Sequence, residues 1–143
     1  MSQANPASID IKDLLLSAQD NGDLEVTPTL VFAQNLFVAH EPPEPSPCVT
    51  IFDTPGRGRA LLYDNDIKIS YPTIQIRTKH VGYDSGWVLI HTITTFLHGQ
   101  AGIIINGSNY LVVRCSSEPS FFDWDSKGRA RHIANFEMQK RKV

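Results

Sequence analysis

The chain has 143 residues, of which 41% are hydrophobic and 20% charged, with 13 Lys and Arg against 15 Asp and Glu for a formal net charge of −2. That length and composition fit one domain over residues 1–143 that buries its own core, and they exclude a disordered chain. The acidic balance argues against a protein that coats nucleic acid, and no apolar run approaches the roughly 20 residues of a membrane span.

Met1–Ser8 lacks the basic and apolar regions of a secretory signal, and residues 1–7 read as a loose, polar lead-in. Ser8 is placed to cap a helix over about 9–20, in which Ile11, Leu14, Leu15 and Ala18 recur at helical spacing and Asp10 and Asp13 suit the N-terminal dipole. Asp20-Asn21-Gly22 ends it. One or two short strands are expected within 30–39. Residues 41–47 carry four prolines and read as a stiff connector in preference to a polyproline ligand for a partner. Cys48–Phe52 reads as a strand stopped by Asp53-Thr54-Pro55-Gly56.

A loop over 55–66 leads to a short strand at Ile67–Ser70, broken by Tyr71-Pro72. Thr73–Thr78 then alternates, with Ile74 and Ile76 on one face. A second helix is expected over about 85–98, capped by Asp84 or Ser85 and stopped by Gly99. Its buried stripe is Trp87, Ile90, Thr94 and Leu97, widened by Leu89, Ile93 and Phe96, and packing must override its many β-branched residues. Asn106-Gly107 between two apolar runs signals a hairpin, with a loop that Ser108 and Asn109 can lengthen. Glu118-Pro119-Ser120 reads as a break, Phe121-Phe122-Asp123-Trp124 as an aromatic cluster and Asp125–Gly128 as a turn. In the last strand Ala134, Phe136 and Met138 point inward. The order α, β, β, β, β, α, β, β, β implies an α+β fold, a mainly antiparallel β-sheet flanked by two helices.

Charge is unevenly placed. Residues 126–143 hold six cations against Glu137, a net of +5, which leaves −7 on residues 1–125. Residues 140–143 form a basic tail. An acidic body with a basic end suits a chain that meets another copy, or another acidic partner, through that end.

The search for chemistry finds no assembled catalytic constellation. His40, His80, His91, His98 and His132 show neither HExxH spacing nor a neighbouring cysteine at zinc spacing. His91 and His98 are seven residues apart, and without further ligands they make no metal site. Cys48 and Cys115 form no disulfide framework or CxxC pair, and are expected to be reduced, buried and inert. Gly56-Arg57-Gly58-Arg59 lacks the GK[ST] of a phosphate loop. Asp123–Gly128 opens like a calcium loop, but Lys127 stands at its fifth position and Ala134 at its twelfth. Asp64, Asp66, Asp123 and Asp125 read as turn-forming acids. No catalytic, metal-binding or cofactor-binding residue is expected, and no cofactor.

In order along the chain come Val49–Gly56, Tyr71-Pro72-Thr73-Ile74-Gln75-Ile76-Arg77, Tyr83-Asp84 opening a helix that ends near Leu97-His98-Gly99, Ile105–Tyr110, Ser117-Glu118-Pro119, Asp125–Arg129 and Asn135-Phe136. Over about residues 9–141 this succession resembles the minor capsid or tail completion proteins of tailed bacteriophages, the tail terminator group. The resemblance implies a non-enzymatic virion protein with an antiparallel sheet flanked by helices. It implies a ring, commonly a hexamer, at the head-proximal end of the tail tube, which stops tube polymerisation and presents a docking surface to the head. The implied partners are other copies of the chain, the tail tube protein and head–tail connector proteins, with no membrane or small-molecule substrate. The implied location is the virion, with assembly in the host cytoplasm.

A ring needs two different complementary patches on each copy. Arg57, Arg59, Asp64, Asp66, Lys140, Arg141 and Lys142 are the candidate interface residues, and the 42–47 loop is a further candidate. One alternative is a head–tail connector protein of the same fold. Another is a small nucleic-acid-binding module using Arg57, Arg59, Arg77 and the basic tail, with Phe121, Phe122 and Trp124 for stacking. An enzyme working through His91, His98 and an aspartate is a distant third.

Overall fold

The computed structural model describes residues 5–44, 46–58 and 69–142, the last without its side chain. In chain order the elements are α1 (Ala7–Asp20), β1 (Leu36–Val38), β2 (Cys48–Arg57), β3 (Ile69–His80), α2 (Tyr83–Leu97), β4 (Ile103–Ile105), β5 (Ser108–Trp124) and β6 (Ala130–Lys142). The strands form one sheet in the order β1-β2-β3-β6-β5-β4. β1 runs parallel to β2, and every other neighbouring pair is antiparallel. The fold is α+β with β dominant.

Alternation along β3 and β6 makes one face of this sheet apolar. Ile74 and Ile76 pair with Phe136 and Ala134, and all four are fully buried. Ile11 and Leu15 of α1 and Leu89, Ile90, Ile93 and Leu97 of α2 join them in one buried cluster, so both helices cover the same face. Each such Ile, Leu or Phe side chain, fully withdrawn from water, contributes about 1.5–3 kcal/mol. The other face of β3 carries Thr73, Gln75, Arg77 and Lys79.

The helices keep their expected places and change their details. α1 begins at Ala7, earlier than expected, so Ser8 lies inside it and does not cap it. The cap comes from β2: the Asp53 carboxylate accepts the Ser8 backbone N–H at 3.0 Å and its hydroxyl at 2.5 Å. A remote acid thus serves an orphan donor of the first turn. α2 begins at Tyr83 with Gly82 at its N-cap and no capping side chain, so neither Asp84 nor Ser85 caps it, and it ends at Leu97. Its buried face is Gly86, Leu89, Ile90, Ile93, Thr94 and Leu97. Trp87 leaves that face, is 42% exposed, and stacks on His91 with ring centroids 4.5 Å apart.

Three expected breaks are bridged by continuous strands. β2 runs on through Pro55-Gly56 to Arg57, with a register shift after Thr54. β3 runs through Tyr71-Pro72, although its ladder to β6 lapses between Ser70 and Thr73. β5 runs through Glu118-Pro119-Ser120, its register slipping on either side of Ser117. Proline withholds an N–H without forcing a turn, and bulges absorb the missing rung. At Gly56 a side chain would collide with backbone, since an added Cβ would lie 2.1 Å from the Tyr71 carbonyl oxygen.

The hairpin loop is the two residues Asn106-Gly107, with φ of 51° and 79°, both in the left-handed region that a tight turn of this kind requires. The basic tail is the end of a central strand. Ser70 and Ile69 of β3 pair with Lys140 and Arg141, while Tyr110, Asn109 and Ser108 of β5 pair with Lys140, Arg141 and Lys142. The expected strand start at Ile67 lies outside the described residues.

Candidate functional site

β3, β6 and β5 give the sheet two chemically unlike ends. Ten residues of β6 separate Ala130 from Lys140, about 33 Å of strand.

The first end is basic. Arg57, at the close of β2, lays its guanidinium 3.9 Å from the Tyr71 ring centroid. Arg57 and Lys140 line one open groove of about 630 Å³ together with Asp53, Ile69 and Pro72. Arg141, next along β6, is exposed and takes the opposite face of the strand. The structure therefore brings Arg57 and Lys140 together, with Arg141 and Lys142 following them at the same end of the sheet. Arg59, Asp64 and Asp66 lie outside the described residues.

Lys140 also has an internal role. Its ammonium donates to the Asn5 carbonyl at 2.7 Å and lies 3.6 Å from the Asp10 carboxylate. Asp10 is fully buried and accepts from the Tyr110 hydroxyl and from Asn106 Nδ2, the latter at 2.9 Å. Burial first, and then the Asp10 carboxylate, push the Tyr110 phenol far above its ordinary range, which keeps it a donor. This cluster ties α1 to the β4–β5 turn and to β6. Composition marks these charges as a surface feature; Asp10, the acid expected to serve only the helix dipole, instead anchors three elements.

At the other end the proline-rich segment lies across the sheet's second face as a strap, held by cations. Lys79, 2% exposed, donates to the Pro42 and Pro43 carbonyls at 2.6 and 3.3 Å. Arg131 bonds Glu41 at 2.9 Å and Asp123 at 2.5 Å, and Arg77 lies 3.7 Å from Glu41. Arg129 bonds Asp125 at 2.7 Å, Glu44 at 3.1 Å and the Pro43 carbonyl, and Lys127 pairs with Glu44. Lys127, Arg129 and Arg131, half of the cations that make the C-terminal stretch basic, are thus matched within the chain. Arg77 also lies 4.8 Å from the Phe122 ring centroid, far along the sheet from Arg57 and Lys140. Among the described residues, those of the nucleic-acid reading do not form one groove.

On the opposite, helix-covered face at this end stands an aromatic cluster. Tyr83, Phe121 and Trp124 pack with centroids 5.4–6.2 Å apart, and Tyr83 and Phe121 close over His132 at 5.0 and 5.9 Å. His132 is fully buried and neither ring nitrogen has a hydrogen-bond partner. Gly86 makes room for it, since an added Cβ would lie 3.0 Å from His132 Nδ1. Burial holds His132 and the nearby His80 below the ordinary imidazole value of about 6.5. The unfolded chain then binds more protons than the folded one below that value, so stability is full above about pH 6.5 and is lost as pH falls. The urea midpoint should drop between pH 7 and pH 5, and His132→Phe should flatten that slope.

The remaining candidates for chemistry stand apart. His91 stacks on Trp87, and His98 Nδ1 accepts the Cys115 N–H at 3.0 Å. Burial raises the pKa of both thiols, Cys48 and Cys115, and so keeps them protonated; Cys48 is buried, whereas Cys115 is half-buried and not fully enclosed as expected. Asp123 and Asp125 each bind an arginine, and Asp125 Oδ1 accepts the Lys127 and Arg129 N–H groups in an Asx-type turn. Among the described residues no three His, Cys, Asp or Glu side chains are grouped to hold a metal. No helix there is long and apolar enough to cross a membrane.

The fold is shared with a chain from the virion of a native gene transfer agent particle, at a TM-score of 0.61 and 10% identity over 95% of each chain. No curated protein sequence matches this one. A family model described as bacteriophage tail terminator protein matches residues 16–142, nearly the whole length of the elements described above. The chain belongs to the bacteriophage tail terminator family.

Proposed function

We propose that this chain is a structural, non-catalytic virion protein that closes a tail tube at its head-proximal end. Copies join in a ring, a hexamer in this reading, which stops tube polymerisation and gives the head its docking surface. Its partners are then other copies of the chain, the tail tube protein and the head–tail connector proteins. The observation that carries this reading is the family match over residues 16–142. The two unlike ends of the sheet support it, because a ring between tube and head must show a different surface to each. The basic end, with Arg57, Lys140, Arg141 and Lys142, is assigned to one of those contacts, and Arg59, Asp64 and Asp66, outside the described residues, are proposed for the same contact.

Light scattering after size exclusion, across protein and salt concentrations, tests the ring. A discrete closed oligomer is expected, in solution or on added tail tubes. Tails assembled without the chain should vary in length and fail to join heads, and adding it back should restore both properties. A chain that stays monomeric and leaves tube length unchanged would sink this reading.

A further inference from the structure

We propose that the ridge of Tyr83, Trp87, Phe121 and Trp124 is one half of a head-to-tail contact between copies of this chain, and that Val31 and Phe32 at the opposite edge of the sheet are the other half. The inference rests on the ring reading above and names the surfaces that would close it.

The four ridge residues are 37–53% exposed. Tyr83 and Trp87 lie four apart on α2, so they share a face, and Tyr83 joins Phe121 and Trp124 of β5 into a continuous aromatic surface. That surface runs beside the outer edge of β5, as the Tyr83–Phe121 contact and the His98–Cys115 bond show. The edge itself is blunted by Pro119 and by repeated register shifts. Docking there is therefore by side chains and not by addition of a strand.

Exposed aromatic groups of this size mark contact surfaces. The occupant is a second copy because head-to-tail closure demands a second, different patch on the same chain. Among the described residues, the large exposed apolar side chains away from this corner are Val31, Phe32 and Ile104. Ile104 stands alone on β4, whereas Val31 and Phe32 are adjacent, just before β1 at the far edge of the sheet. The charges are compatible with this pairing. The Lys12 ammonium lies 4.5 Å from the Phe32 ring centroid and is paired with Asp13 at 2.6 Å, so the second patch is locally neutral. Asp84 and Glu118 flank the ridge on α2 and β5 and make no ion pair among the described residues. An acid-flanked ridge meets a neutral apolar patch with less repulsion than it would meet a second ridge.

The chain has two tryptophans, and both lie in the ridge. Their emission and its quenching by acrylamide, followed with mass as concentration rises or tail tubes are added, read this surface directly in the unaltered protein. A blue shift with reduced quenching as the mass rises is expected. A closed oligomer with unchanged emission would overturn the ridge and leave the ring standing. No oligomer in solution or on tubes would remove the ring, and the ridge contact with it. Trp87→Ser with Trp124→Ser, and separately Phe32→Ser, should each give folded monomers by circular dichroism. Mixed in equal amounts they retain one good patch each and should form a dimer and no ring; two folded monomers that ignore each other would refute the pairing.

Discussion

Asp10→Ala is expected to lower stability by about 3–5 kcal/mol, the cost of removing one partner from a buried charged cluster. The carboxylate is fully buried, and it takes the Tyr110 hydroxyl, Asn106 Nδ2 and the Lys140 ammonium into one cluster. Alanine leaves all three facing a cavity, and the desolvation already incurred by the phenol and the ammonium is no longer offset. Asp10→Asn keeps the shape and one acceptor oxygen, so it should cost clearly less. Urea titration followed by circular dichroism measures both. Equal losses for alanine and asparagine would mean that the charge alone carries the site and that shape and the remaining acceptor contribute nothing. Because Lys140 also lines the groove at the basic end, Asp10→Ala should disturb that surface together with the fold.

The second large effect is expected at Lys79. This side chain is 2% exposed, and its ammonium bonds two strap carbonyls. Hydrogen bonds to a charged group are worth about 1.5–3 kcal/mol, so Lys79→Ala should cost about 2 kcal/mol, a figure moderated because Arg129 also donates to the Pro43 carbonyl. Lys79→Met keeps the aliphatic stem and isolates the loss of the donor. Hydrogen exchange over residues 37–52 should rise in both variants while α1 stays protected. If only global stability falls and the strap exchanges no faster, the lysine supports the core and does not hold the strap.

The legible parts of this fold were those with a strong local period. Ile74 and Ile76 in β3, Ala134, Phe136 and Met138 in β6, and the apolar face of α1 announce their burial by spacing alone. Asn106-Gly107 announces its turn by composition. The misread segments are those where a local rule was outweighed from a distance. Pro55, Pro72 and Pro119 look like stops, yet long antiparallel partners carry β2, β3 and β5 past them. Ser8 looks like a cap until Asp53 arrives from 45 residues away. Trp87 fits the helical stripe by spacing, but Gly86 occupies the contact with the sheet and turns Trp87 outward.

The candidate site was legible in part for the same reason. Arg57 is far in sequence from Lys140 and Arg141, and the pairing of β3 with both β2 and β6 puts them at one end of the sheet. The basic stretch signals attraction, but no sequence spacing says that Glu41 and Glu44 of the proline segment will meet Arg129 and Arg131. The aromatic ridge joins an α2 face to the end of β5, and its Tyr83–Phe121 contact spans 38 positions that no short-range pattern can connect.

The place of β6 has a consequence for manufacture. The strand that joins β3 to β5, Ala130–Lys142, follows all the other described strands in the chain. Until those thirteen residues are synthesised, two halves of the sheet have no common neighbour and the hydrophobic cluster lacks Ala134, Phe136 and Met138. Completion of the sheet is thereby postponed until β6 has been made, a topology of long-range contacts that closes late and slowly. A chain cut short before β6 cannot imitate the folded protein, so only copies that carry this strand are available for assembly.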